Sequence, residues 1–162
     1  MRIHTIVVHY AWTYPDQVVT RDQVDSWHRA GGFRGIGYHW FIRRDGMLEE
    51  GRPEGTLGAH VRGHNHGTIG ICWAGGRLHG GGPNEGVWNP TPAQEATLVE
   101  LIRNIQKRHP GARRVVGHNN LVATSCPGRD DVAEWWAAQQ RVAGAGNVWA
   151  ELLRRVLEWL RR

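Results

Sequence analysis

Apolar residues come in short bursts along this chain, and the bursts keep two different rhythms. "HTIVVHY" (4–10) runs β-branched residues together, which reads as a short buried strand. "TRDQVDSWHRAGG" (20–32) carries helix punctuation instead: Thr20 and Gln23 are placed as a capping box, and Gly31-Gly32 as a stop. "GYHWFIRRDGMLEEG" (37–51) holds two strand-like runs around Asp45-Gly46, a hairpin signal. "GTIGICWAGG" (67–76) is continuous enough to be a strand buried on both faces. "HGGGPNEGVWNP" (79–90) has no rhythm and reads as a mobile loop that borders a site.

The strongest helix is "TPAQEATLVELIRNIQKRHPG" (91–111). Thr91 caps it, Pro92 takes the first turn and Gln94 completes the box, while Leu98, Leu101, Ile102 and Ile105 make the buried stripe. It has to stop by His109, because Pro110 disfavours the helical conformation before it. "ARRVVGH" is a further strand and "RDDVAEWWAAQQ" a third helix. No repeat is present. The predicted fold is α/β, a single domain with a mixed central sheet flanked by helices, plus an extra C-terminal amphipathic helix.

At 162 residues the chain is one domain's worth, able to bury roughly 70% of its unfolded surface without cross-links. Two cysteines, Cys72 and Cys126, suggest no disulfide framework. The opening residues lack the pattern of a secretory signal, and no run of about 18 apolar residues predicts a membrane span, so a cytosolic origin is expected. The formal charge is +5, and all basic residues except Lys107 are arginine. That balance suits polyanionic surroundings such as anionic lipid or cell-wall polymer. The arginines are dispersed and no nucleic-acid-binding motif is present, so nucleic acid is not expected as a partner.

Ten histidines are too many for one role. His4, His28, His79 and His109 fall at surface or helix-end positions and read as solvated. His64 and His66 stand two apart between glycines, a weak metal signal in a loop. His9 closes one apolar strand and His118 follows another, so the two can meet at the strand ends. Cys72 reads as a small buried hydrophobe. Cys126, in "TSCPG", leaves two chemistries open: a nucleophile with His118 as base, or a thiolate ligand that shares a zinc ion with two imidazoles and a water.

The order of four blocks narrows this choice. "IVVHY", "GYHWFIRRDGMLEEGR", "GAHVRGHNHGTIGICWAGG" and "GHNNLVATSCPG" together resemble the type 2 N-acetylmuramoyl-L-alanine amidases, the zinc amidase family shared by small phage endolysins and peptidoglycan recognition proteins. The likeness runs from about Ile6 to Trp136, and residues 1–140 would be the catalytic domain. It implies His9, His118 and Cys126 as zinc ligands, with Tyr38 and Thr124 as catalytic donors to the attacked carbonyl. Some relatives carry lysine where Thr124 stands. It also implies that His60 and Asn65 line the substrate groove. An acidic residue that relatives often carry soon after the histidine is replaced here by Asn119 and Asn120.

The resemblance implies zinc-dependent hydrolysis of the amide between N-acetylmuramic acid and L-alanine in peptidoglycan, as by a phage endolysin that leaves the host cytoplasm once the membrane is opened. A bacterial recycling amidase, a non-catalytic peptidoglycan receptor of the same fold, a cysteine hydrolase and a polymerase-binding protein are the rivals. Beyond the likeness, residues 147–162 place Trp149, Leu152, Leu153, Val156, Leu157 and Leu160 on one face, with Arg154, Arg155, Arg161 and Arg162 mostly opposite. That pattern fits a helix docked on protein, or one lying in an anionic outer-membrane surface with its arginines on phosphates.

Overall fold

The structure is a computed structural model that describes residues 1–82 and 84–142. Five strands form one sheet in the order β3-β2-β4-β1-β5: β1 Thr5–Tyr10, β2 Trp40–Ile42, β3 Leu48–Glu50, β4 Thr68–Trp73 and β5 Arg114–Gly117. β1 runs parallel to both β4 and β5, β2 runs parallel to β4, and the hairpin partner β3 is antiparallel to β2. The sheet is therefore mixed. The hairpin turns where Asp45-Gly46 predicts: Gly46 takes φ +86°, and Asp45 Oδ1 accepts the Met47 N–H at 3.0 Å.

β1 and β4 are buried along their whole length, as the unbroken apolar runs require. Alternation divides the side chains. Ile6, Val8, Ile69, Ile71 and Val115 face α2 (Pro92–Arg108), joining Leu98, Ile102 and Ile105 in the main core. The opposite side of the sheet carries Phe41 and Cys72, covered with Val24 of α1 (Arg21–Ala30), and Val7 with Val61 and Val116. A third helix, α3 (132–142), adds Val132, Trp135 and Trp136 to the main core.

Helices α1 and α2 start at the predicted capping boxes, Thr20 with Gln23 and Thr91 with Gln94. Gln94 does more than cap. Fully buried, it donates through Nε2 to the carbonyls of Ile42 and Ala74, while Oε1 accepts from Arg44 at 3.0 Å. The first turn of α2 is thereby tied to the ends of β2 and β4.

The segment 79–90 is less free than its composition suggests. Trp88 packs between Trp73 and Trp135, Arg129 lies over its ring at 5.2 Å, and Val87 N–H donates to the Gly76 carbonyl at 3.0 Å. Two histidines expected to be solvated are also held. His28 Nδ1 accepts the Gly37 N–H at 2.8 Å, and His109 Nε2 meets Glu54 at 2.6 Å. The amphipathic pattern at 147–162 lies outside the described residues. No helix among the described residues is long and apolar enough to cross a membrane.

Candidate metal centre

β1 ends with its last residues on opposite sides of the sheet, which puts His9 on the side away from α2. The neighbouring strand β5 ends at Gly117, and a single 3-10 turn, His118–Asn120, lifts His118 to the same end of the sheet. The chain then returns through 125–128 to deliver Cys126. Asn119 and Asn120 fasten this return. Asn119 N–H donates to the Cys126 carbonyl at 2.8 Å, Asn119 Nδ2 reaches Asp130 at 2.6 Å, and Asn120 bridges the Gly117 N–H and the Asp130 carbonyl. The residues that stand in place of the expected acid thus hold two halves of the site together.

His9, His118 and Cys126 bring one ligand atom each to within 4.8 Å of the others. His9 Nδ1 lies 3.8 Å from Cys126 Sγ, and the rings of His9 and His118 are 4.6 Å apart. Zinc–sulfur and zinc–nitrogen bonds in a tetrahedron would set sulfur and nitrogen about 3.6 Å apart, so the donors fit a zinc ion with little adjustment. Their chemistry fits as well. Burial pushes the His9 pKa well below its usual value, reinforced by His60 and His118, and burial also lowers that of His118. Both imidazoles are neutral, as metal ligation needs.

Cys126 discriminates between the two chemistries left open by the sequence. Burial raises its thiol to about 12, only partly countered by the Tyr10 N–H, which donates to Sγ at 3.4 Å. Such a thiol is protonated at neutral pH and is a poor nucleophile, whereas a bound cation deprotonates a coordinating thiol outright. Cys72 is wholly buried and also raised, first by burial, so it stays an inert core residue.

Tyr38 stands beside the three donors, its ring 5.2 Å from that of His9. Burial raises its phenol well above the ordinary value, with Cys72 and Cys126 adding to the effect, so it keeps its proton and can donate it in a hydrogen bond. Thr124 is exposed, and its Oγ1 accepts the Cys126 N–H at 3.3 Å, which leaves its hydroxyl proton unassigned. His60 and Asn65 point inward instead. His60 is 8% exposed, and Asn65 Oδ1 accepts the N–H groups of His60 and Val61 at 2.8 and 2.9 Å. His64 and His66 are exposed and stay apart from the donors.

Sequence reasoning passed over His39, which is fully buried between the Gly70 N–H and the Thr56 carbonyl. It also missed the contact of His60 with His9 at 3.1 Å. The glycine at 70, inside β4, was the available signal, because a glycine inside a strand marks a close approach.

A mixed sheet whose parallel strands bring two imidazoles to one end, where a loop adds a thiol, forms a candidate metal site. Comparison with known proteins narrows this. The profile of a family described as N-acetylmuramoyl-L-alanine amidase matches residues 1–129. The endolysin of Escherichia phage T7 is 35% identical over 139 residues, spanning 85% of this chain and 87% of the relative. The endolysin of Enterobacteria phage T3 is 34% identical with the same coverage. Among solved structures, the N-acetylmuramoyl-L-alanine amidase LysC from Clostridium intestinale superimposes with a TM-score of 0.71 at 30% identity, covering 87% of each chain. The chain belongs to the N-acetylmuramoyl-L-alanine amidase family, and it is an enzyme of that family.

Proposed function

We propose that this chain is a zinc-dependent peptidoglycan amidase that hydrolyses the bond between N-acetylmuramic acid and the first L-alanine of the stem peptide, and that it serves as a phage endolysin. The convergence of His9, His118 and Cys126 beside Tyr38 carries the reading, and the relatives named endolysin support the biological role. Zinc in such a site supplies Lewis acidity toward a carbonyl and a water nucleophile at neutral pH. The protein's own part is to hold the substrate carbonyl and receive its developing charge. Tyr38 donates a hydrogen bond from its phenol to that oxygen, and the Thr124 hydroxyl donates another from the rim. At position 124 threonine brings no positive charge of its own.

An endolysin acts from the host cytoplasm, reaching the wall once another protein opens the membrane. Zinc content and mass spectrometry of digested peptidoglycan test the core of the reading. The expected result is about one zinc per chain, activity lost to a chelator and restored by zinc, and stem peptides released with a free L-alanine amine. Full activity in metal-free protein, or release of new reducing sugar ends, would overturn it.

The sequence pattern of 147–162 supports a second role, binding to anionic outer-membrane lipid. In the full chain, Leu153→Glu with Leu157→Glu is expected to weaken binding to anionic vesicles and to leave hydrolysis of purified peptidoglycan unchanged. Unaltered vesicle binding would remove the lipid role.

A further inference from the structure

We propose that His60 is the positioning residue for the ligand His9, fixing its tautomer and ring orientation in place of the carboxylate that commonly backs a metal-bound imidazole. The proposal rests on the zinc reading above. It follows from a chain of hydrogen bonds whose direction is set at its far end. Thr68 Oγ1 lies 3.0 Å from the carbonyl oxygens of His64 and Asn65, which can only accept, so the hydroxyl proton points toward them. Its lone pair then takes the His60 Nε2–H at 3.2 Å. With that nitrogen protonated, His60 Nδ1 is a bare acceptor, 3.1 Å from His9 Nε2. His9 must therefore carry its proton on Nε2, and the lone pair of Nδ1 faces Cys126. Two backbone carbonyls thus decide which nitrogen of a metal ligand is free.

The surroundings of His60 are built for this task. Its ring lies so close to the sheet that a methyl group at Gly70 would stand 2.5 Å from its Cγ, and one at Gly58 would stand 2.6 Å from its Cδ2. The His39 ring closes a third side, edge-on at 5.7 Å. Asn65 pins the backbone of residue 60 from the loop. Among the described residues, no carboxylate hydrogen-bonds to His9 or His60. The buried ring offers a substrate almost nothing to touch.

Competition for zinc between the protein and a chromophoric chelator tests the proposal, with circular dichroism to confirm folding. His60→Leu is expected to weaken zinc binding by ~10–100-fold. His60→Gln, whose side-chain oxygen can accept from His9 Nε2, should recover most of that loss. At saturating zinc, KM for peptidoglycan should stay unchanged in both. Wild-type zinc affinity in a folded His60→Leu protein, or a raised KM as its sole defect, would overturn the positioning role and favour a substrate contact. Should His60→Leu fail to fold, Thr68→Val removes only the anchor at the far end, and undiminished zinc affinity there would overturn the proposal equally. A wild-type chain that takes up no zinc at all would instead overturn the metal reading itself, and this proposal with it.

Discussion

The two sides of β1 make an instructive pair. On one side Ile6 and Val8 meet α2 through aliphatic contacts alone; on the other, two residues along, Val7 gives way to His9 and a buried wall of imidazoles. Around those two residues the first side is filled by aliphatic volume. At the strand end the second adds buried imidazoles that must each satisfy a hydrogen bond, because an unpaired polar atom there would cost about 1–3 kcal/mol. One strand thus separates stability from chemistry by the alternation of its side chains. Damage on either side should be distinguishable by what is lost.

The sharpest test of that separation is Cys126→Ser. On the proposed zinc reading it should lower turnover by ~10³-fold or more, worth several kcal/mol of barrier, and zinc content should fall to background. The metal-free protein should melt close to metal-free wild type. Ile102→Ala, on the α2 side, should do the reverse, removing about 2–5 kcal/mol of stability in denaturant titration while leaving the turnover of the folded fraction intact. If Ile102→Ala instead abolished zinc binding, the two sides would not be independent.

Tyr38→Phe comes next, because it changes one donor within the chemical side. A loss of ~10² in kcat at unchanged zinc occupancy is expected, comparable to removing one oxyanion donor elsewhere. Wild-type turnover would take Tyr38 out of the reaction.

The smallest effect concerns the rim of the α2 side. Burial disfavours the charge of Glu54, but hydrogen bonds from Arg108, His109 and Trp40 outweigh it and leave the pKa lowered. A lowered carboxyl pKa contributes stability above the unfolded value of 4.5, and that contribution is lost as pH falls through the folded value. The difference in Tm between wild type and Glu54→Gln should therefore be steady near neutrality and shrink below pH 4.5. A difference that persisted unchanged into acid would show that packing, not charge, secures the end of α2.

Much of this was legible in the sequence because its signals are local. The capping boxes at Thr20 and Thr91, the Asp45-Gly46 turn and the unbroken apolar runs each specify an element without reference to the rest of the chain. His9 and His118 could be singled out because strand ends expose side chains to a common edge, whereas the ligand role of Cys126 came only from the family resemblance. What stayed hidden depends on registry between distant segments. His60 meets His9 across 51 residues, and Glu54 meets His109 across 55. The segment 79–90 misleads for another reason: its glycines outnumber Trp88, yet that one indole decides where the segment lies.

The double attachment of Gln94 to the carbonyls of Ile42 and Ala74 has a consequence for how the molecule opens. Helix ends ordinarily fray, and their amide protons exchange with solvent far faster than those of a core strand. Here the first turn of α2 cannot unwind without withdrawing a buried side chain from the ends of two strands. Its amides should then exchange on the same slow timescale as those of β4, so that the start of the helix and the centre of the sheet open as one unit.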